Sequence, residues 1–175
     1  FRRLWEKAKI TFPGKSLKGA APVVRFPIDG SCKDALPVLL SIGAHLAEEE
    51  TEMECELEDK PTPDSRYRFL ESKPSPEGFR AYQVFRPEDK KPAFRCFVTP
   101  LKDNKAYLHR IATRKDLIGQ GVGSELFPQF LGLLKKLGYK KAVMQVNASN
   151  TPAVRLYTEN GFRKTTSLRY YELLL

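Results

Sequence analysis

The fold of this 175-residue chain is decided by the stretch IGQGVGSELF, residues 118–127. It follows an apolar, β-branched run at residues 107–113, which predicts a strand. Beyond Ser124, apolar residues recur at helical spacing as far as Leu137, and Gly138 ends the predicted helix. The glycines therefore lie where a strand passes into the N-terminus of a helix. Such a terminus presents unpaired backbone N–H groups and the positive end of the helix dipole, which together suit a phosphate.

This glycine-rich turn matches neither of two common phosphate-binding motifs. Its glycines lack the spacing of the dinucleotide-binding fingerprint, and no acidic residue follows at the distance that this fingerprint requires. No Gly-Lys-Ser/Thr sequence ends the turn, so it is not a P-loop. Taken alone, the turn leaves two interpretations open: a phosphate site, or a strand-to-helix connection without a ligand.

A second motif, Asn-x-x-Ala-x-x-x-Tyr-x-x-x-Gly-Phe, occupies residues 150–162. Residues 142–146 before it predict a short buried strand, and a helix follows with Pro152 near its first turn. On that helix Ala153 and Tyr157 share one face, and Gly161 ends the helix before a further strand. Tyr157 can be a packed aromatic with a hydrated hydroxyl, which is the commoner role of tyrosine, or a functional group.

In this order and at this separation, the two motifs resemble the acyl-coenzyme A site of the GCN5-related N-acetyltransferases (GNAT). Residues 111–171 resemble, without gaps, the acyl-coenzyme A half of the ribosomal-protein-alanine acetyltransferases within that superfamily. The matching segments are residues 146–150, 156–157, 160–162 and 169–171. The resemblance implies a mixed α/β (α+β) fold, in which a central, twisted, mostly antiparallel sheet carries helices on both faces.

The resemblance also implies a role for the residues of both motifs. The hydroxyl of Tyr157 is expected near the thioester sulfur, where it would act as general acid toward the leaving thiolate. The residues implied in binding acetyl-CoA are Ile111, Ala112 and Thr113 through their backbone along the pantetheine arm, Gly119, Gln120, Gly121, Val122, Gly123 and Ser124 around the pyrophosphate, and Asn150 on the cofactor arm.

Two positions depart from the family pattern. Ile118 stands where the family usually has Arg or Gln, and Gln145 stands where the alanine acetyltransferases have a glutamate proposed as general base. A glutamine amide cannot take a proton from an attacking ammonium group. His109 on the preceding strand is the candidate substitute, because histidine titrates near neutral pH. The alternative is a half-buried strand histidine that is bonded to a neighbour.

These residues predict an enzyme of the acyltransferase class, an acetyl-CoA-dependent N-acetyltransferase. A primary amine of a small molecule, peptide or protein N-terminus would attack the thioester directly in a ternary complex. Two alternatives stay open: a non-catalytic, regulatory acyl-CoA-binding domain, and an acyltransferase that uses a different acyl donor. Loss of turnover with retained coenzyme A affinity on replacing Tyr157 would separate the first alternative from an enzyme.

Composition narrows the setting of this function. The net charge of +9 suits the phosphates of coenzyme A or an acidic partner. The lack of a nucleic-acid-binding motif in the sequence argues against nucleic acid as the partner. No apolar run approaches the ~18–20 residues of a membrane span. The sequence has three widely spaced cysteines, Cys32, Cys55 and Cys96, and this odd number predicts reduced thiols in the cytoplasm. With only two histidines beside these scattered cysteines, the sequence predicts no metal site. A homodimer, and a place within a longer chain, stay open.

The remaining sequence predicts a basic arm over residues 1–20 and one domain over residues 21–175. A first strand is expected at residues 22–28 and a helix at residues 32–47. The acidic segment 48–59 favours an exposed loop or a second helix over a strand, and the proline-rich segment 61–76 a mobile loop. Three further strands, joined by hairpin turns, are expected at residues 79–85, 93–101 and 106–113.

Overall fold

The computed structural model describes residues 23–29 and 34–174. The predicted arm, residues 1–20, and Cys32 lie outside the described residues. The elements are β1 (Val23–Asp29), α1 (Ala35–Ser41), β2 (His45–Glu56), β3 (Arg68–Glu71), β4 (Arg80–Phe85), β5 (Phe94–Leu101), β6 (Lys105–Thr113), a 3-10 turn (Lys115–Leu117), α2 (Val122–Lys136), β7 (Lys141–Asn147), α3 (Thr151–Glu159) and β8 (Arg163–Leu174).

The strands of the described residues form one mixed sheet with the order β1-β8-β2-β7-β6-β5-β4-β3. β6 and β7 run parallel, whereas β1 with β8, β3 with β4, β4 with β5 and β5 with β6 are antiparallel. The predicted mixed, mostly antiparallel sheet with helices is therefore confirmed. No helix among the described residues has the length and apolar character needed to cross a bilayer.

The chain divides into two compact units. One contains the described residues up to Glu50 together with residues 166–174, and the other, which we call the motif unit, is Thr51–Thr165. Both sequence motifs belong to the motif unit. The prediction of one domain over residues 21–175 is not tested by this division and stays a prediction.

The helix predicted over residues 32–47 is wrong in its extent. α1 ends at Ser41, because the chain leaves the helix through Gly43, whose φ of 87° is left-handed. The N–H of Gly43 donates to the carbonyl of Leu40 at 3.0 Å. β2 begins at His45, within the segment that apolar spacing had assigned to the helix.

The acidic segment 48–59, expected as an exposed loop or a second helix, is mostly strand. Along β2, buried residues such as Met53 alternate with glutamates, which is the period of a strand with one buried face. The Nζ atom of Lys141 on β7 lies 3.1 Å from a carboxylate oxygen of Glu54 and 2.8 Å from one of Glu56. The acids therefore form the polar face of a strand, and part of their charge is balanced by a neighbouring strand.

The segment after β2, residues 57–67, lies along α2, and we call it the α2 strap. Its hydrogen bonds to α2 include those of the Tyr67 hydroxyl to Glu125 (2.9 Å) and of the Asp64 N–H to Gln129 (2.8 Å). The Lys135 ammonium donates to the carbonyls of Lys60 (2.9 Å) and Glu58. These α2 positions are four and six residues apart, so the strap is bonded to α2 over much of the helix. The mobile loop predicted over residues 61–76 is therefore wrong for the strap and for β3.

Aromatic rings hold α2 and α3 together in the core of the motif unit. The ring centroid of Phe127 on α2 lies 5.3 Å from that of Tyr157 on α3 and 5.8 Å from that of Phe162. On the sheet side, Phe94 of β5 packs against Phe130 of α2 at 5.8 Å. This core fixes the start of α2 and the face of α3 against the end of β6.

Candidate active site

β6 and β7 are paired over only part of their length. Their parallel register ends at Leu108 and Met144, although β6 continues to Thr113. The predicted site residues Ile111, Ala112 and Thr113 lie beyond that register. Along this part of β6, no ladder to β7 forms among the described residues. A parting of two strands leaves backbone N–H and C=O groups available to an extended ligand, which can bind as an added strand does.

A β-bulge lies beside this parting. Phe97 pairs with His109 and Arg95 with Ala112, so β6 has one residue more than β5 between the two pairs. Within that interval Arg110 has a φ of 51°, a left-handed conformation that non-glycine residues seldom adopt. The bulge redirects β6 just before the residues expected to bind the pantetheine arm.

The glycines of the turn serve two different purposes. Gly119 and Gly121 have φ values of 80° and 76°, so their left-handed backbone favours glycine. A Cβ on either would meet no heavy atom within 4 Å, so the space beside the turn is open. Gly123 lies instead in contact range of its neighbours, since a Cβ there would be 3.4 Å from Thr113 Oγ1 and 3.7 Å from Leu156 Cδ2.

The N-terminus of α2 presents unused donors toward this space. The first helical bond runs from the N–H of Glu125 to the carbonyl of Gly121 at 3.0 Å, and the N-cap has no side-chain hydrogen bond. The N–H groups of Val122, Gly123 and Ser124 consequently have no acceptor within the helix. These donors, the helix dipole and the open space fit a pyrophosphate.

Gln120 and Ile118 take other positions in the turn. The N–H of Gln120 bonds to the carbonyl of Leu117 at 3.3 Å, and its side-chain amide donates to the carbonyl of Asp116 at 2.7 Å. Gln120 therefore braces the turn with these groups. Ile118 is 67% exposed, the highest value among the exposed large apolar side chains of the described residues. With Ala112, Thr113 and the start of β5 it lines a groove of about 530 Å³ beside the turn.

The first residue of the second motif caps α3. The side-chain oxygen of Asn150 accepts a hydrogen bond from the N–H of Ala153 at 3.3 Å, the usual function of asparagine at an N-cap. Its amide nitrogen has no hydrogen-bond partner within the described part of the chain. Asn150 can therefore donate to a ligand while it holds the helix end.

Tyr157 is buried, with 7% of its surface exposed, between the rings of Phe127 and Phe162. Its hydroxyl makes no hydrogen bond to any residue that the structure describes. Burial, and secondarily the nearby Cys96 side chain, raise the pKa of Tyr157 to about 12. A phenol with this pKa keeps its proton at neutral pH, so it can donate a proton but cannot serve as a base.

His109 is half-buried among aromatic rings on β6 and its neighbours. Its Nε2 lies 3.2 Å from Thr99 Oγ1, and its ring stacks on Tyr107 with centroids 5.7 Å apart. Phe79 and Phe97 approach the ring at 5.6 and 5.7 Å. Burial, and to a smaller degree the positive charge of Arg110, lower the pKa of His109. The imidazole is therefore neutral at pH 7, with one nitrogen paired to a hydroxyl.

The structure does not bring the two predicted catalytic residues together, because they belong to opposite faces of the sheet. His109 contacts Phe97, whereas Tyr157 lies on the side of the neighbouring residue Cys96. Successive residues of a strand point to opposite faces. Gln145 is on the face of His109, where its side-chain oxygen accepts a hydrogen bond from Tyr107 at 3.2 Å.

Sequence reasoning missed the residues that surround His109. They are Phe79 just before β4, Phe97 and Thr99 on β5, and Tyr107 on β6, and they have no motif in common. Their alternation with buried residues on β5 and β6 was the available signal. Which strands are neighbours, however, depends on the register. Among the residues that the structure describes, no group of three His, Cys, Asp or Glu side chains is placed to hold a metal ion.

Comparison with known proteins identifies the family. The acetyltransferase (GNAT) family matches residues 45–162, more than half of the chain. The chain belongs to this family. The match covers the parting of β6 and β7, the glycine turn and the whole second motif, so the resemblance predicted from the motifs is confirmed.

Curated relatives of this chain resemble it over part of its length. The ribosomal protein bS18-alanine N-acetyltransferases of Escherichia coli strain K12 and Shigella flexneri are 34% identical over 74 residues, which are 42% of this chain and 50% of theirs. The chain therefore spans about half the length of these curated relatives. The matched part is short, and it shows kinship rather than a shared acceptor.

Solved structures show the fold. A GCN5-related N-acetyltransferase from Sphaerobacter thermophilus has a TM-score of 0.73 at 15% identity, over 98% of this chain and 65% of that one. A tandem GNAT protein from the clavulanic acid biosynthesis pathway has a TM-score of 0.66 at 13% identity, over 99% of this chain and 69% of that one. At these identities the similarity establishes the GNAT fold alone.

Proposed function

We propose that this GNAT protein is an N-acetyltransferase, which moves an acetyl group from acetyl-CoA to a primary amine of a peptide, protein or small molecule. The observation that carries the proposal is the parting of β6 and β7 beside an open helix N-terminus. A linear thioester with a pyrophosphate at one end requires both features. The name of the bS18-alanine relatives favours a protein amine as the acceptor class.

The chain offers separate groups for the two ends of acetyl-CoA. The N–H groups of Val122, Gly123 and Ser124 would hold the pyrophosphate, and the free amide of Asn150 would donate to the cofactor arm. Backbone groups of residues 111–113 would bind along the arm and polarise the thioester carbonyl. When bound, acetyl-CoA supplies the activated acyl carbon, and its fixed position beside an amine provides much of the rate.

We propose direct attack by the amine, without an acyl-enzyme. The bond between the amine nitrogen and the acyl carbon forms, the bond from carbon to sulfur breaks, and the Tyr157 hydroxyl gives its proton to the departing thiolate. His109, on the opposite face, would take the ammonium proton through water. Cys96 is a poor alternative nucleophile, because it is fully buried and burial raises the pKa of its thiol.

A paired substitution tests the role of Tyr157. Tyr157→Phe should lower kcat for thiol release from acetyl-CoA by about 100-fold or more, the range for loss of a general acid, with the coenzyme A affinity retained. Tyr139→Phe is the matched control, since Tyr139 is also packed against the core but lies after the C-terminal end of α2. The readouts are calorimetric titration with coenzyme A and thiol release against a panel of amines and peptides. Equal kcat in wild type and Tyr157→Phe would show that the hydroxyl is structural.

A second candidate function is regulatory binding of acyl-CoA without transfer. The observation that favours it is the Gln145 side chain, whose oxygen is already hydrogen-bonded to Tyr107 and which cannot accept a proton. Coenzyme A binding without thiol release from any acceptor of the panel would favour this function. The absence of any binding would contradict both functions.

A further inference from the structure

Two arginines beside the β-bulge are exposed and form no ion pair with any described residue: Arg95 of β5 and Arg110 of β6. Most other described arginines are held by carboxylates. The paired ones are Arg25, Arg66, Arg80, Arg86, Arg114, Arg155 and Arg169. Arg68, which covers the ring of Phe85, and Arg163 at the start of β8 are the other exceptions. The unpaired guanidinium groups of Arg95 and Arg110 occur on neighbouring strands at the point where β6 leaves β7.

The two side chains belong to the face of the sheet that carries His109. On β5, Arg95 and Phe97 alternate with buried Phe94 and Cys96, so they point away from the core. The guanidinium carbon of Arg110 lies 5.5 Å from the ring centroid of Phe97. Together with Arg95, it defines what we call the bulge arginine pair.

The backbone at the bulge is strained at Arg110. Arg110 has a left-handed φ of 51° and is exposed, so no buried contact of its side chain requires that conformation. Strained residues of this kind gather at binding and catalytic sites, where the surrounding structure holds them for a function. Here the strain places a guanidinium beside the unpaired half of β6.

The strands that carry the pair place no acid on this face. Besides the pair itself, the residues of β5 and β6 on the face include Phe97, Thr99, Tyr107, His109 and Ala112, which pairs with Arg95, and none of them is an acid. Opposite Arg95 on β4 stands Gln83. The face therefore combines positive charge with aromatic surface. A planar fork of donors matches a carboxylate with two parallel hydrogen bonds.

We infer that the bulge arginine pair binds a carboxylate of the acceptor, so that the preferred substrates are amines that carry an acidic group close to the amine. The assignment of this carboxylate to an acceptor rests on the proposed function, whereas the anion site itself does not. The aromatic rings of Phe97 and Tyr107 would contact the apolar part of the same molecule.

This arrangement also bears on the missing glutamate at Gln145. A positive charge close to a bound amine disfavours its ammonium form and so favours the free amine that attacks. Burial is the main cause of the lowered pKa of His109, and the positive charge of Arg110 lowers that pKa further in the same way. A site of this kind relies less on a carboxylate base than a neutral site does.

Matched peptides test the inference. The probes are Ala-Glu-Phe-amide and Ala-Gln-Phe-amide, which differ only in an acid or an amide next to the reactive N-terminus. We expect wild-type protein saturated with coenzyme A to bind the acidic peptide at least tenfold more tightly by calorimetry. With acetyl-CoA, we expect a similar ratio of kcat/KM from thiol release.

Substitutions assign the preference to the pair. Arg110→Gln should reduce the ratio between the two peptides about tenfold, and Arg110→Lys should give an intermediate ratio, because a lysine keeps the charge but not the planar fork. Arg66→Gln removes the same charge from an exposed arginine of the strap and should leave the ratio unchanged. Any general loss of folding or activity cancels in the ratio.

Each outcome decides the inference. Equal affinities for the two peptides in wild type, including no detectable binding of either, would overturn it, as would a preference that persists in both Arg110→Gln and Arg95→Gln. A binding preference that Arg110→Gln abolishes, without thiol release from either peptide, would contradict the proposed transfer but support the anion site. No release and no preference would remove both.

Discussion

The α2 strap makes the sharpest prediction about stability, through Gly132. This glycine lies in the middle of α2, and a Cβ there would overlap the carbonyl oxygen of Pro61 and approach Pro63 Cδ to 3.1 Å. Overpacking costs about 1–3 kcal/mol, and we take the upper end because a backbone carbonyl cannot rotate away as a side chain can. Replacing glycine by alanine inside a helix returns about 1 kcal/mol. Gly132→Ala should therefore destabilise the fold by about 2 kcal/mol.

Urea unfolding followed by circular dichroism measures this effect. With a slope of about 2 kcal/mol per molar urea, the midpoint should fall by about 1 M. Gly123→Ala is the control on the same helix, since its Cβ would stand at ordinary contact distances of 3.4 and 3.7 Å. Its midpoint should stay constant or rise slightly.

The sign of the shift decides whether the strap is seated on α2. If Gly132→Ala is as stable as wild type, or more stable, the strap does not press on the helix at Gly132. The favourable helix propensity of alanine would then act alone. A loss of stability in both variants alike would indicate that α2 tolerates no added methyl group, whatever its neighbour.

Two further predictions concern the pH dependence of kcat/KM and the hydrogen bond that Lys60 of the strap makes to the end of α3. If His109 is the base, kcat/KM should rise with pH and then reach a plateau. The midpoint of the rise should lie below pH 6.5, because the lowered pKa of His109 leaves the imidazole unprotonated above that point. His109→Gln should remove this rise. The plateau should show no alkaline decline below about pH 10, since Tyr157 has a pKa of about 12; an earlier decline would exclude Tyr157 as the acid. Lys60→Met removes a 2.6 Å hydrogen bond to the carbonyl of Asn160 at the end of α3 and should lower the free energy of unfolding in urea by about 1–2 kcal/mol. Lys164→Met, at the exposed start of β8, should change it little. Equal midpoints for these two variants would contradict a stabilising role for Lys60.

Local signals predicted the second half of the motif unit well. The glycine turn, α2, β7 and α3 follow from periodicity and from glycine and proline at element ends, all within a few residues of the position concerned. The stop at Gly161, with its φ of 84°, was predicted in this way, and the cap formed by Asn150 is equally local, although it was not predicted. The pattern of the turn is local as well, because the donors that it offers belong to the helix that follows it.

Elements whose form depends on distant partners were predicted badly. The glutamates of β2 looked like an exposed loop, because no nearby residue balances them, and Lys141 reaches them from β7 only after folding. Residues 61–67 of the strap were predicted as part of a mobile loop because the segment 61–76 is rich in proline and polar residues. The order of the strap comes from hydrogen bonds such as that of Asp64 to Gln129 on α2.

The arrangement of the site depends on the unpaired ends of β6 and β7 beyond Leu108 and Met144, which no sequence pattern indicates. Sequence reasoning named Tyr157 and His109, but it could not assign them to opposite faces of the sheet, because that depends on strand register. Placement on two faces suits direct transfer. The base acts on the attacking nitrogen and the acid acts on the leaving sulfur, and both atoms are substituents of one tetrahedral carbon. The acid and the base can therefore approach that carbon from different directions and need not contact each other. A carbon held between the parted ends of β6 and β7 would be open to both faces. Closing the parting by pairing β7 with residues 111–113 would therefore remove the proposed activity even if every side chain of both motifs stayed in place.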